Sequence, residues 1–265
     1  MVRRFPRLSG RLVPVLAAGA VALAVPLVPA AASAASGHAT CSGGSIAAGT
    51  YESLTVTGFC SVDAGAVTVT RNLTVTHGAA LLAAFGGSDL KVGGNLTVGS
   101  RAILVLGCEP EAFPCFNDPN ASTSDHVGGN LVADRALMML VHHNSIAGNV
   151  AQSGGGGGVN CTTFPLGPSG PPAYSTYEDN TIGRNAVVTG LRTCWLGFIR
   201  NTVTRNVNFS NNRTADPDGN EVVTNTVGHN LNCTANRPAP HVGDSGGSLN
   251  TVGHKATGQC VKLAA

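Results

Sequence analysis

Carboxylates offer the most chemistry in this chain, and they gather in two stretches with little sign of regular structure. The first, Cys108 to Ser124, holds Glu109, Glu111 and Asp118 with Phe113 and Phe116 beside them. The second, Gln152 to Asp179, runs through Gly154 to Gly158 and past Pro165, Pro168, Pro171 and Pro172 to Tyr174, Tyr177, Glu178 and Asp179. Acids beside aromatic rings suit a sugar: rings stack on its apolar face and carboxylates accept hydrogen bonds from its hydroxyls. Hydrolysis asks for more, two carboxyl groups ~5–10 Å apart across a cleft. Asp125 with Asp134, and Glu178 with Asp179, are the nearest approaches to such a pair, and neither forms a recognisable motif. No catalytic residue is assigned. The plainer expectation for Phe113, Phe116 and Phe164 is that they cover the flank of the fold.

Three other groups have the residue types for a site. Asp125-His126 and His142-His143 fall close together in repeat terms, which allows an acid, base or metal cluster; a corner Asp and strand-ending histidines are the plainer expectation. Asp216-Pro217-Asp218-Gly219-Asn220-Glu221 resembles a calcium loop but lacks the twelve-residue spacing of alternating oxygen ligands and a distant Glu, so it reads as a turn. Arg184, Arg205, His229 and His254 each stand one place before a recurring position, usually Asn. If they stack ~4.8 Å apart they form a strip able to engage an acidic polymer such as a wall teichoic acid or a uronate chain, with ordinary solvated surface as the alternative. These four, with Tyr174 and Tyr177, are the ligand-binding candidates; no metal and no cofactor are expected.

What must position these groups is a repeated phrase. It reads Val69-Thr70-Arg71-Asn72-Leu73-Thr74-Val75, then Val92-Gly93-Gly94-Asn95-Leu96-Thr97-Val98, then Val127-Gly128-Gly129-Asn130-Leu131. Later copies begin at Ile146, Ile182, Val203 and Val227, with a degenerate one at Val252. The asparagines Asn72, Asn95, Asn130, Asn149, Asn185, Asn206 and Asn230 are 23, 35, 19, 36, 21 and 24 residues apart, so the two long steps each carry an inserted loop. Period-2 alternation with β-branched residues and glycine corners excludes a helical repeat and predicts strands. A coil of this length matches a parallel β-helix, whose turns stack so that inward side chains form one long core.

Further apolar strands are expected at Ala80-Leu81-Leu82, Ala102 to Leu106, Ala136 to Val141 and Trp195 to Ile199. A second amide column, Asn144, Asn180, Asn201, Asn225 and Asn250, stands five residues before the first, with Asp125 in the same place one repeat earlier. Stacked amides hydrogen-bond along the stack and satisfy backbone groups left open by the corners, so both columns are expected to be structural.

Ahead of the repeats, Arg3, Arg4, Arg7 and Arg11 precede an apolar run from Leu12 to Val28 that ends in small residues. This is the pattern of a secretory signal peptide over 1–34, with cleavage expected at Ala32-Ser33-Ala34. Four of the 16 Lys and Arg residues lie there, leaving 12 against 14 acids and a formal net charge of −2, which gives nucleic acid or an anionic membrane no support as partners. All eight cysteines follow the leader, and an even count in an exported chain argues for disulfides. A repeat fold brings neighbouring coils together, so the expected pairs are Cys41 with Cys60, Cys108 with Cys115, Cys161 with Cys194 and Cys233 with Cys260.

The Asn-rich rungs, coil length and glycine corners from about residue 60 to 260 resemble the secreted right-handed parallel β-helix repeat proteins of pectin-lyase-like architecture from high-GC Gram-positive bacteria. The resemblance implies an all-β, disulfide-pinned solenoid of about eight coils. Members of that class include pectate lyases and polygalacturonases, but this chain has neither their clustered calcium-binding Asp residues nor a paired-Asp motif with a nearby Gly-His-Gly and Arg-Ile-Lys.

The resulting expectation is a signal peptide over 1–34, an N-terminal cap over 35–62 and a β-helix over 63–265 with insertions at 108–124 and 152–179. The protein is expected to be a secreted or cell-surface monomer that leaves the membrane after cleavage. A non-enzymatic structural or surface-interaction role, with a polysaccharide or cell-wall polymer as partner, is the leading expectation, and a polysaccharide lyase or glycoside hydrolase is its rival. A cleft that brings two carboxylates, or a carboxylate and an Arg or Lys, together on one flank would favour the rival.

Overall fold

A computed structural model describes residues 37–265, so the expected leader and its cleavage site lie outside the described residues. The chain is all-β there, with 27 strands and a single 3-10 turn at Val261–Leu263. The strands form sheets of 16, nine and two strands. They pair in parallel, each with its counterpart one repeat away.

The nine-stranded sheet collects the first apolar residue of every copy of the phrase. Tyr51, Val69, Val92, Val127, Ile146, Ile182, Val203, Val227 and Val252 are in register along it. There is one more strand than there are copies of the phrase. The extra strand, Gly49–Tyr51, precedes a corner that is one residue short and lacks the asparagine: Tyr51-Glu52-Ser53-Leu54. Strands His38–Ser45 and Ser53–Ser61, in the segment expected to be a cap, already pair with each other and extend the sheets.

The 16-stranded sheet has two arms joined through the long strand Ser53–Ser61. One arm follows the asparagine corner and alternates as expected: in Leu131–Asp134, Leu131 and Ala133 are buried while Val132 and Asp134 face solvent. The other arm does not alternate. Ala80–Ala83, Ile103–Leu106 and Met138–His142 are buried at every position, because both of their faces are covered. Inward residues such as Leu81, Leu104, Met139 and Val141 join the main core. Outward residues Ala80, Leu82, Ile103, Val105, Met138 and Leu140 form a second apolar cluster beneath Cys108, Cys115, Phe85, Phe113 and Leu166. Each large aliphatic side chain so buried contributes about 1.5–3 kcal/mol.

Both amide columns are ladders, and they run in opposite directions. In the outer one each asparagine donates toward the start of the chain: Asn130 N–H and Nδ2–H both reach Asn95 Oδ1, at 2.8 and 3.0 Å. In the buried one each donates toward the end: Asn180 N–H and Nδ2–H reach Asn201 Oδ1 at 3.1 and 3.0 Å, and Asn201 repeats this on Asn225. The last member, Asn250, donates to the Leu263 carbonyl at 2.8 Å, so the C-terminal turn closes the buried ladder.

The four disulfides are those expected from the repeat: Cys41–Cys60, Cys108–Cys115, Cys161–Cys194 and Cys233–Cys260. Four disulfides with no free thiol among the described residues fit an oxidising, extracellular environment. No helix among the described residues is long and apolar enough to cross a membrane.

Candidate functional site

The arm that is buried on both faces changes character along its length. Its outward positions in register are Leu82, Val105, Leu140, Thr176, Gly197 and Glu221. Three apolar residues roofed by the first loop give way to a hydroxyl, a bare backbone and a carboxylate. Where the roof ends, a cleft of about 960 Å³ opens over Trp195, Glu178 and Arg200, walled by Glu109 to Ala112, Pro171, Pro172, Tyr174, Asp216, Asp218, Asp244 and Ser245.

The cleft has an aromatic side. Trp195 and Tyr174 stand edge to face, with ring centroids 6.1 Å apart at 63°. The indole reaches across the neighbouring Gly197 in the cleft floor, where a β-carbon would lie 2.4 Å from Trp195 Cη2. Its Nε1–H donates to the Asp218 carbonyl at 3.0 Å, which fixes the ring.

The acidic side is built by a corner. His143, Asp179, Arg200 and Thr224 each precede a member of the buried amide ladder and hold a left-handed backbone, with φ between 54° and 58°. For residues with a β-carbon this costs on the order of 1–2 kcal/mol, and it is tolerated here because the ladder fixes the corner. Stacking of successive repeats then places Arg200 beside Asp179. The guanidinium grips Asp179 from Nε at 2.8 and 3.0 Å and from Nη2 at 2.6 Å, while Nη2 also reaches Glu178 Oε2 at 2.9 Å. Thr176 Oγ1–H donates to Glu178 Oε1 at 2.6 Å. These hydrogen bonds, Asp179's first, hold the Arg200 charge firmly. Burial raises Glu178, against the pull of Thr176 and Arg200.

Glu109 completes this group from the disulfide loop. Its carboxyl faces the charge of Asp179. No N–H or O–H donor reaches its buried Oε1. Burial pushes Glu109 up to about 8, and the hydrogen bond to Asp179 and that residue's charge add to it. Both effects favour the protonated form of Glu109, in a cleft that Trp195 and Tyr174 also line.

Of the residues expected to bind ligand, Tyr174 lines this cleft. Tyr177 does not: it faces the core at 0% exposure, and its hydroxyl donates to Gln152 Oε1 at 2.8 Å, so it offers no surface to a ligand. Arg184, Arg205, His229 and His254 do stack as a column, the amides of Arg205, His229 and His254 each donating to the carbonyl of the one before at 2.9–3.1 Å. The rings of His229 and His254 lie parallel at 4.8 Å. All four are exposed, and none lines the cleft.

The Asp125, His126, His142 and His143 set does not converge on a metal site. His142 lies under Phe113, ring centroids 4.1 Å apart, with neither ring nitrogen hydrogen-bonded. His143 Nδ1 meets the Thr123 carbonyl at 3.1 Å, and Asp125 Oδ1 accepts the Leu90 N–H at 2.6 Å. Phe113 packs as cover, as expected, while Phe116 and Phe164 remain largely exposed. The second insertion is irregular only over 154–174, since Val150–Ser153 and Ser175–Glu178 are strands.

Arg200, Trp195 and Asp244 carry no motif and were not singled out from sequence. The αL corner shared by Asp179 and Arg200 was the usable signal: both residues stand immediately before a ladder asparagine. Comparison with protein-family models, with curated proteins and with solved structures finds no match.

Proposed function

We propose that this is an exported right-handed parallel β-helix whose lateral cleft binds a neutral or amino-bearing glycan and cleaves it by acid catalysis from Glu109. Parallel pairing one repeat apart and the four disulfides support the solenoid and its export. This reading takes the rival of the two sequence expectations over the non-enzymatic one. The observation that carries it is a cleft lined by Glu109, Asp179 and Arg200 together with Trp195 and Tyr174, in which burial favours the protonated form of Glu109.

Each part has a role. Trp195 and Tyr174 give sugar rings an apolar face to stack on. Glu109 gives its proton to the glycosidic oxygen as the bond to the anomeric carbon breaks. Positive charge then grows on the sugar, and the surrounding carboxylates stabilise it. Water adds to the anomeric carbon and returns a proton to the carboxyl pair. Acidic walls repel a uronate chain, which favours neutral or amino sugars. Arg200, the cation lining the cleft, is committed to Asp179 and Glu178 and is a poor base for a lyase reaction.

Reducing-end release from chitosan, chitin oligomers, xylan, β-glucan and polygalacturonate tests the proposal. The expected result is new reducing ends from a neutral or amino glycan. Unsaturated ends from polygalacturonate would overturn it in favour of a lyase. Binding without cleavage of any polymer would return the protein to a surface-interaction role.

A further inference from the structure

At the far end of the cleft, carboxylate oxygens of Asp218, Glu221 and Asp244 all lie within 4.8 Å of one another. Acidic clusters are common on surfaces, but Glu221 sets this one apart. It is 0% exposed, and neither of its carboxylate oxygens has a hydrogen-bond partner. Ser245 is its polar neighbour in the 235–248 loop and pulls against the burial that raises this carboxyl. An ionised carboxylate buried in this way is unfavourable unless something positive faces it. Asp218 and Asp244 bring two further carboxylates to the same place.

The surroundings are shaped around that carboxylate. Gly243 holds φ +68°, and a β-carbon there would stand 2.3 Å from Glu221 Cδ. The backbone therefore closes on the carboxylate where a side chain would not fit. Asp218 is held from two sides: His241 Nε2 meets its Oδ1 at 3.1 Å, and the Asp244 N–H donates to its Oδ2 at 3.2 Å. Three elements meet here, the 216–220 turn, the strand Glu221–Val223 and the loop over 235–248.

We infer that Asp218, Glu221 and Asp244 form a divalent-cation site of calcium type, which pins the 235–248 loop to the end of the sheet. An all-oxygen, all-carboxylate donor set suits a hard cation, and calcium tolerates ligands gathered from separate segments with water filling the remaining positions. The absence of twelve-residue loop spacing, which argues against calcium in the 216–221 segment read alone, does not bear on a site assembled from two repeats. The site stands whether or not the cleft cleaves a glycan.

Trp195 provides the test, because it is the single tryptophan of the chain and its indole bonds the Asp218 carbonyl. Full-length protein stripped with EDTA is titrated with terbium(III), and sensitised terbium emission is read on tryptophan excitation. The expected result is saturable emission displaced by calcium, with a calcium Kd on the order of 10⁻⁴–10⁻³ M, the range of extracellular modules. Glu221→Gln keeps the side-chain shape, and Asp244→Asn changes an exposed residue, so the second reports even where the first fails to fold. Each is expected to weaken terbium binding about ten-fold or more. Absent or non-saturable emission, emission that calcium does not displace, or unchanged affinity in the folded variants would overturn the site.

Discussion

The indole of Trp195 lies so close to Gly197 that a β-carbon at position 197 would come within 2.4 Å of Cη2 and 2.7 Å of Cζ3. The absent side chain lets the ring reach over the sheet, and the ring's orientation is what a sugar would stack on. Gly197→Ala is therefore expected to lift the indole and weaken binding of the preferred glycan about ten-fold, as measured by affinity electrophoresis. The thermal midpoint should move little, since the ring swings outward, away from the main core. Unchanged binding would show that Trp195 is not the platform.

Asp125 heads the buried amide ladder where an asparagine would be expected. Its Oδ2 and the Asn144 Oδ1 are both buried without a partner. Burial pushes this carboxyl up to about 7, opposed first by the Leu90 N–H. A carboxyl held above its unfolded value near 4 makes the folded state bind more protons, so stability falls as pH rises from about 4 to 7 and stays lowered above that. Asp125→Asn supplies the amide donor permanently. It should raise stability by a few kcal/mol at pH 8 and by little at pH 4, as measured by urea unfolding. A destabilised variant at pH 8 would refute the protonated ladder head.

His142 should act in the opposite sense. Burial under Phe113 holds it neutral, lowering it to about 3, with Asp179 opposing this. A histidine whose folded value is depressed stabilises fully above its unfolded value near 6.5, and that contribution drains away as pH falls toward 3, at ~1.4 kcal/mol per unit. His142→Phe keeps the ring stack and removes the titration. Relative to the unsubstituted protein, where Asp125 and His142 pull against each other, its unfolding free energy should gain ~1.4 kcal/mol for each unit that pH falls between 6 and 4. Equal slopes would contradict a buried neutral His142.

The scaffold was legible in the sequence because it repeats. Alternation pointed to the strands, the Asn positions to both ladders, and nearest-neighbour pairing to all four disulfides: Cys233 and Cys260 fall one repeat apart, whereas Cys108 and Cys115 close a small loop inside one insertion. The strand Gly49–Tyr51 escaped notice because its corner is a residue short and lacks the asparagine. The cleft was not legible for a different reason. Glu109 leaves its own repeat in the disulfide loop and passes the His143 corner to meet Asp179, and nothing local encodes that crossing. Glu221 looked like part of a turn, and its partner Asp244 stands one repeat further on. Tyr177 and Tyr174 are three residues apart, yet register sends one inward and the other into the cleft, a distinction carried by the pairing of Tyr177 with Val141 and Phe198.

On the function proposed above, Glu109 is the proton donor of a glycan-cleaving cleft. The most direct test of this is reducing-end release at pH 7 by Glu109→Gln compared with the unsubstituted protein, on the glycan that the latter prefers, with glycan binding measured on the same samples. The glutamine variant is expected to bind within about two-fold of the original while release falls by about 10²-fold or more, the usual loss when a general acid is removed. Release that survives the substitution while binding is intact would contradict it.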